Sequence, residues 1–352
     1  MIVQSDALSD VQREAVKHTD GPVLIFAGAG SGKTKVLTNR IAYLLNEKNV
    51  FPDRILAVTF TNKAAGEMKS RLERMVGAAA RDLWVGTFHA TCVRMLRRDG
   101  KKIGIASNFA IMDDTDQRSI VRDVLHDLDF DERQISPGAA LDEISKAKNA
   151  LLGPDQYETK NTSFFGERVA QVFREYDRRL RESNGLDFDD LIAKTIELLE
   201  NDVEVRTRYQ NKFRYILVDE YQDVNYAQYR LCAILAGEHK NLTVVGDDDQ
   251  SIYSWRGSDY KNILRFEKDF PGAKVFKLEE NFRSTQTILT VANEVVSQNQ
   301  TRSAKKLYTK RDTGEAVTVY GAETERAEAR YVIEKIKELV REGAAYLSLI
   351  HI

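Results

Sequence analysis

The sequence predicts an α/β protein built on a parallel sheet, and three observations carry that prediction. Short β-rich runs recur at Pro22 to Ala27, Ile55 to Phe60, Leu83 to Val85, Tyr215 to Val218, Leu242 to Val245 and Lys274 to Leu278. Most are continuously apolar rather than alternating, as strands covered on both faces must be. Helical patterns such as Lys33 to Asn46 and Asn62 to Val76 separate several of them, which gives the crossovers a parallel sheet needs.

Between Asn108 and Gly185 the strand signals thin out. Asp116 to Leu128, Gly138 to Leu151 and Phe165 to Ser183 read as amphipathic helices, so a helical insertion interrupts the sheet domain. Asp113 to Arg133 carries eight acids against three arginines, whereas Arg94 to Lys102 just before it carries five basic residues and one acid. That basic stretch reads either as a phosphate contact or as a solvated helix face.

Composition narrows the class. At 352 residues the chain has room for roughly two to three domains of ~150 residues. With 42% hydrophobic and 30% charged residues it is neither disordered nor fibrous. A net charge of -2 means that any nucleic-acid surface is local rather than a field of the whole molecule. Cys92 and Cys232 lie far apart without metal-ligand spacing, and no apolar run approaches the ~18 residues of a membrane span. Both cysteines read as reduced core thiols of a cytoplasmic protein.

The chemistry begins at Ala27 to Thr34, which follows the first strand and opens a helix. Its glycines let backbone N–H groups turn inward around phosphate oxygens, Lys33 reaches the β and γ phosphates, and the Thr34 hydroxyl suits Mg²⁺. Ala29, Gly30, Ser31 and Gly32 form the cradle. The apolar strand Ile216 to Val218 then ends in two carboxylates. Asp219 is expected in the Mg²⁺ shell, and Glu220 is expected to orient and deprotonate the attacking water.

Ligands in open α/β sheets sit beyond the carboxyl ends of the strands, so Thr61 and Asn62, Gly86 to His89, Asp247 to Gln250 and Asn281 to Arg283 should line the same edge. Gln250 is placed to touch the γ phosphate and report on it to Tyr253, Trp255 and Arg256. Aromatic rings beside a cation are what a single strand needs for base stacking, worth ~1–3 kcal/mol per base.

These segments resemble, in order, those of superfamily 1 DNA helicases of the UvrD/Rep/PcrA group. The matching stretches are Leu8 to Gln12, the phosphate loop, Ala57 to Ala65, Gly86 to His89, Leu186 to Leu191, Val218 to Asp223, Val245 to Gly257 and Leu278 to Ser284. The resemblance implies a RecA-like ATPase domain at residues 1–107 and 186–277, a helical insertion at 108–185, and the start of a second RecA-like domain at 278–352. It implies ATP and Mg²⁺ as cofactors, and single-stranded and 3′-tailed duplex DNA as partners, with 3′ to 5′ polarity and a place in repair or replication.

By the same resemblance, Gln12 reads the adenine edge and Phe282 stacks on the base, where many relatives have tyrosine. Arg283 is an arginine finger to the γ phosphate. Phe60, Asn62, His89, Phe188, Tyr253, Trp255 and Arg256 lie along the single-strand track. The end of the chain, Ala345 to Ile352, departs from the family's pattern and suggests a truncated or mis-assembled reading frame. Two other readings remain at this stage: an inert ATP- and DNA-binding fragment, and the motor part of a helicase-nuclease.

Overall fold

A computed structural model of the chain describes residues 8–253, 257, 259, 261–299, 303 and 305–346. Trp255, Arg256 and the last residues of the chain therefore lie outside the described residues. Eight strands are present among those described: β1 (Val23–Ala27), β2 (Ile55–Thr59), β3 (Trp84–Thr87), β4 (Ala110–Ile111), β5 (Gly185–Leu186), β6 (Tyr215–Val218), β7 (Leu242–Gly246) and β8 (Lys274–Leu278). Six of them form a wholly parallel sheet in the order β3-β2-β6-β7-β1-β8.

Alternation of side chains along each strand feeds two separate cores. Val23, Ile25 and Ala27 of β1 point to one face, under α1 (Asp10–Lys17), α2 (Lys33–Asn46) and α3 (Asn62–Val76). Leu24 and Phe26 point to the other, where α4 (Phe88–Asp99) contributes Cys92, Met95 and Leu96. Because both faces are buried, the strands could not afford polar alternation, which is why they read as continuous apolar runs.

The insertion consists of α5 (Asp114–Asp127), α6 (Pro137–Asn149), α7 (Pro154–Lys160) and α8 (Phe164–Glu182), packed around its own core of Val121, Leu125, Ile144, Val169 and Phe173. Its entry and exit lie side by side, because β4 pairs with β5 in parallel through Ala110 with Gly185 and Ile111 with Leu186. The chain then returns through α9 (Phe188–Asn201), α10 (Val203–Lys212), α11 (Tyr226–Ala236) and α12 (Lys261–Asp269), which complete the face begun by α4. Beyond β8 come α13 (Gln286–Ser297), in which Leu289 is buried, and α14 (Glu325–Arg341), in which no residue is.

A buried lysine bolts the insertion to the sheet domain. Lys148, at the end of α6, is 4% exposed and lies 2.8 Å from Asp187, 2.8 Å from Asp190 and 3.1 Å from Asp177. The Tyr176 hydroxyl donates to Asp187 at 3.0 Å. Burial opposes the Lys148 charge, but Asp190, Asp187 and Asp177 outweigh it and hold its pKa well above the usual value. The next residue continues the junction, since Asn149 donates to Asp189 at 3.1 Å and accepts from Asn225 at 2.5 Å.

Element boundaries follow the sequence closely where the signal is local, as in α2 and α3. The third strand differs, running Trp84–Thr87 instead of Leu83 to Val85. Gly86 ends the run in sequence because glycine weakens a strand, yet pairing of Val58 with Gly86 and Thr59 with Thr87 carries the ladder through it. Among the described residues no helix is long and apolar enough to cross a membrane, and both cysteines are buried and unbridged.

Candidate nucleotide and strand sites

The loop between β1 and α2 is held open by glycine. Gly30 and Gly32 have φ of 71° and 88°, the left-handed region in which a side chain is strained. At Gly30 there is also no room, because a Cβ would come within 2.7 Å of the Asn281 amide and 2.9 Å of Arg283 Cβ. The segment after β8 grips the loop directly: Asn281 Nδ2 donates to the Ala29 carbonyl at 2.6 Å, and the Phe282 N–H donates to the Gly30 carbonyl at 3.0 Å. Ser31 is buried and its hydroxyl donates to the Gly28 carbonyl at 2.7 Å.

Lys33 opens α2 and turns toward the end of β6, where Nζ lies 3.1 Å from Glu220 Oε2. Thr34 Oγ1 lies 3.5 Å from Asp219 Oδ2. Burial, reinforced by the charge of Glu220, pushes the Asp219 carboxyl up to about 6. A hydroxyl beside a buried, under-compensated carboxylate is a donor set that fits a hard divalent cation. Burial followed by Glu220 likewise pushes Asp223 up to about 6.

Glu220 has a left-handed backbone, φ 49° and ψ 48°, rare for a residue with a side chain. Gln222 fixes it, donating from Nε2 to Glu220 Oε2 at 2.9 Å while its Oε1 accepts from the Asp247 N–H at 2.9 Å. Gln250 sits on the 3₁₀ turn after β7, where its amide donates to the Asp247 carboxylate. A continuous hydrogen-bonded path thus joins Glu220 to Gln250. Gln222 carries no role in the sequence reading, although it lies inside the matched segment Val218 to Asp223.

Gln12 is buried and its amide is doubly engaged. Its Oε1 accepts from the Ser9 N–H at 3.0 Å, closing a capping box on α1, and its Nε2 donates to the Ser31 carbonyl at 2.8 Å. Gln12 and Phe282 line a shared cleft of about 310 Å³, together with Ser31, Glu280, Tyr308 and Lys310. Phe282 is 46% exposed there, with Lys35 Nζ 6.0 Å from its ring centre. Tyr308 is held by backbone hydrogen bonds to Asn281 and Glu279, and nothing in the sequence marks it.

Four of the residues expected along the single-strand track meet in two pairs. Phe60 and Tyr253 have ring centres 4.8 Å apart, and His89 and Phe188 meet edge-on at 5.8 Å. Phe188 is 44% exposed at the start of α9, and Asn62 is exposed at the start of α3. Burial lowers the His89 pKa, so its ring is neutral at pH 7.

Asp247, Asp248 and Asp249 bring their carboxylates close enough together to suit a metal. Lys305 already occupies that position, with Nζ 2.8 Å from Asp247, 2.9 Å from Asp249 and in contact with Asp248. This triad is therefore a salt-bridged anchor for the segment after α13.

The sequence profile described as UvrD/REP helicase N-terminal domain matches residues 8–271, and that of the UvrD-like helicase C-terminal domain matches residues 276–350. The chain is 52% identical to ATP-dependent DNA helicase PcrA of Staphylococcus epidermidis over 339 residues, 96% of this chain and 46% of that protein. It is 53% identical to the protein of the same name from Staphylococcus aureus over 335 residues, 95% of this chain and again 46% of that protein. The chain thus spans about half the length of the curated relatives it matches.

Proposed function

Because the chain belongs to the UvrD/REP helicase family, we propose that it carries the motor of an ATP-dependent DNA helicase that moves 3′ to 5′ along a single strand and opens 3′-tailed duplex in repair or replication. In this reading residues 1–107 and 186–277 form the first RecA-like domain, 108–185 the insertion, and 278–352 the opening of the second. The observation that carries the proposal is the pairing of Lys33 with Glu220 beside Thr34 and Asp219, next to a loop in which Gly30 and Gly32 take left-handed backbones.

Lys33 Nζ exchanges Glu220 for the β and γ phosphates as ATP enters, which frees the Glu220 carboxylate for water. Glu220 then accepts the proton as the water oxygen bonds to the γ phosphorus and the bond to the β–γ bridging oxygen breaks. Mg²⁺ held by Thr34 and Asp219 would supply charge neutralisation on the phosphates. Gln222 keeps Glu220 oriented, and Arg283, whose Cβ lies close to Gly30, would compensate charge on the γ phosphate. Gln250, three residues before Tyr253, connects the nucleotide to the Phe60–Tyr253 pair on the strand track.

DNA-stimulated ATP hydrolysis, measured with and without single-stranded DNA, tests the motor. Glu220→Gln should bind a fluorescent ATP analogue like the parent and fail to hydrolyse ATP. Hydrolysis by Glu220→Gln at the parent rate would remove Glu220 from its role, and a parent rate indifferent to DNA would sink the motor reading.

A further inference from the structure

The basic stretch Arg94 to Lys102 takes part in neither site, yet the fold gathers further cations around it. Trp84, at the amino end of β3, has the Arg94 guanidinium 3.6 Å and Lys212 Nζ 4.8 Å from its ring centre, and the Phe213 ring edge-on at 4.9 Å. Arg98 follows Arg94 by one turn on the same face of α4. Arg54, from the 3₁₀ turn before β2, donates to the Asn211 carbonyl at 2.6 Å and so comes alongside Lys212. Two cations from different segments, Arg94 and Lys212, thus meet at one aromatic ring, and Arg54 and Arg98 lie close enough to Lys212 to act on its charge.

Little negative charge answers them. Asp99, the acid within the stretch, is already taken by Arg208 at 2.5 Å and by the Tyr209 hydroxyl at 2.7 Å. Burial, aided by Arg98, Arg94 and Arg54, lowers the Lys212 pKa against the opposing pull of Asp53. The Trp84 ring is occupied by Arg94, Lys212 and Phe213.

We propose that Arg54, Arg94, Arg98 and Lys212 form a second phosphate-binding surface that takes the sugar-phosphate backbone of the single strand where it leaves the aromatic track. The proposal rests on the strand-binding reading above. Its geometric basis is α4, which starts beside His89 on the track and carries Arg94 and Arg98 away from it. At ~1.5 Å per residue those side chains lie ~7 and ~14 Å further along the helix. That continuity favours the bound nucleic acid over a separate acidic protein as the occupant.

The test is a salt titration of binding to two labelled oligothymidylates, of about 8 and about 20 nucleotides, so that the shorter fills the track and the longer overruns it. Arg94→Ser/Arg98→Ser should reduce the slope of log affinity against log salt for the longer oligomer by about 1.4, or ~0.7 per lost phosphate contact. Binding of the shorter oligomer should not change, and Arg94→Lys/Arg98→Lys should restore the slope. Both variants replace exposed residues, and their melting temperatures check the fold. Unchanged slopes for the longer oligomer in a parent that binds both would overturn the proposal alone, whereas a parent that binds neither would overturn the strand reading beneath it. Loss of polyglutamate binding in the serine variant, with DNA slopes unchanged, would overturn it in favour of an acidic protein partner.

Discussion

Lys33 and Lys148 meet carboxylates in different surroundings. In the nucleotide cleft, Lys33 faces Glu220 at 3.1 Å in a pair left partly open, 12% and 37% exposed. At the root of the insertion, Lys148 is sealed among Asp177, Asp187 and Asp190. On the proposed reading, in which Glu220 is surrendered to an incoming phosphate, a half-open pair is easier to exchange than a sealed one, whose separation leaves uncompensated buried charge. Exposure, more than the identity of the ion pair, separates the lysine of the proposed nucleotide site from that of the junction.

The sharpest way to break this contrast is Lys148→Met. It strands the buried carboxylates of Asp187 and Asp190, 4% and 8% exposed, without their cation and should cost about 3–5 kcal/mol of stability in chemical denaturation. A loss under about 1 kcal/mol would mean that water reaches the junction and that the two lysines are not different in kind.

Asp219 tests the cleft from the other side. Its carboxyl titrates near 6 when folded, above the ordinary 3.8, so the folded chain holds more protons than the unfolded one between those values. Stability should therefore fall as pH rises from about 4 to about 6, by at most ~3 kcal/mol for this group. Asp219→Asn should remove that slope and stabilise the nucleotide-free protein at pH 7, while weakening Mg²⁺-dependent nucleotide binding. Identical pH profiles for parent and variant would show that the carboxylate carries no burial cost.

Lys33→Met should be the mildest for the fold, changing stability by less than about 1 kcal/mol, while weakening affinity for an ATP analogue roughly 10- to 150-fold through the lost charged contact. A melting point depressed as far as that of Lys148→Met would erase the distinction between the two sites.

How much of this was readable beforehand depended on the range of the interaction. The phosphate loop, α2 and α3 depend on residues within a few positions of each other, and their limits stand in the sequence as they do in the fold. The insertion core follows from helical periodicity alone. Lys148 was invisible because its three partners lie 29, 39 and 42 positions away on other elements, and a lysine in an amphipathic helix reads as solvated. Asn281 and Gln222 lay within recognisable segments, but their work is to hold backbone and carboxylate groups that only the fold brings to them. Tyr308 reached the cleft through backbone pairing with Glu280, which has no local signal.

The position of β1 has a consequence in time. Both of its neighbours come late in the chain, since Val23 pairs with Thr243 on one side and Lys274 on the other, and Ala29 waits for Asn281. At synthesis rates of ~5–20 residues per second, the first strand leaves the ribosome on the order of 10–50 s before the strands that flank it exist. During that interval its apolar faces and unpaired edges are exposed to other nascent chains. The strand that leads into the glycine loop is the earliest strand to be synthesised and among the last to be secured, and a chaperone would find its longest opportunity there.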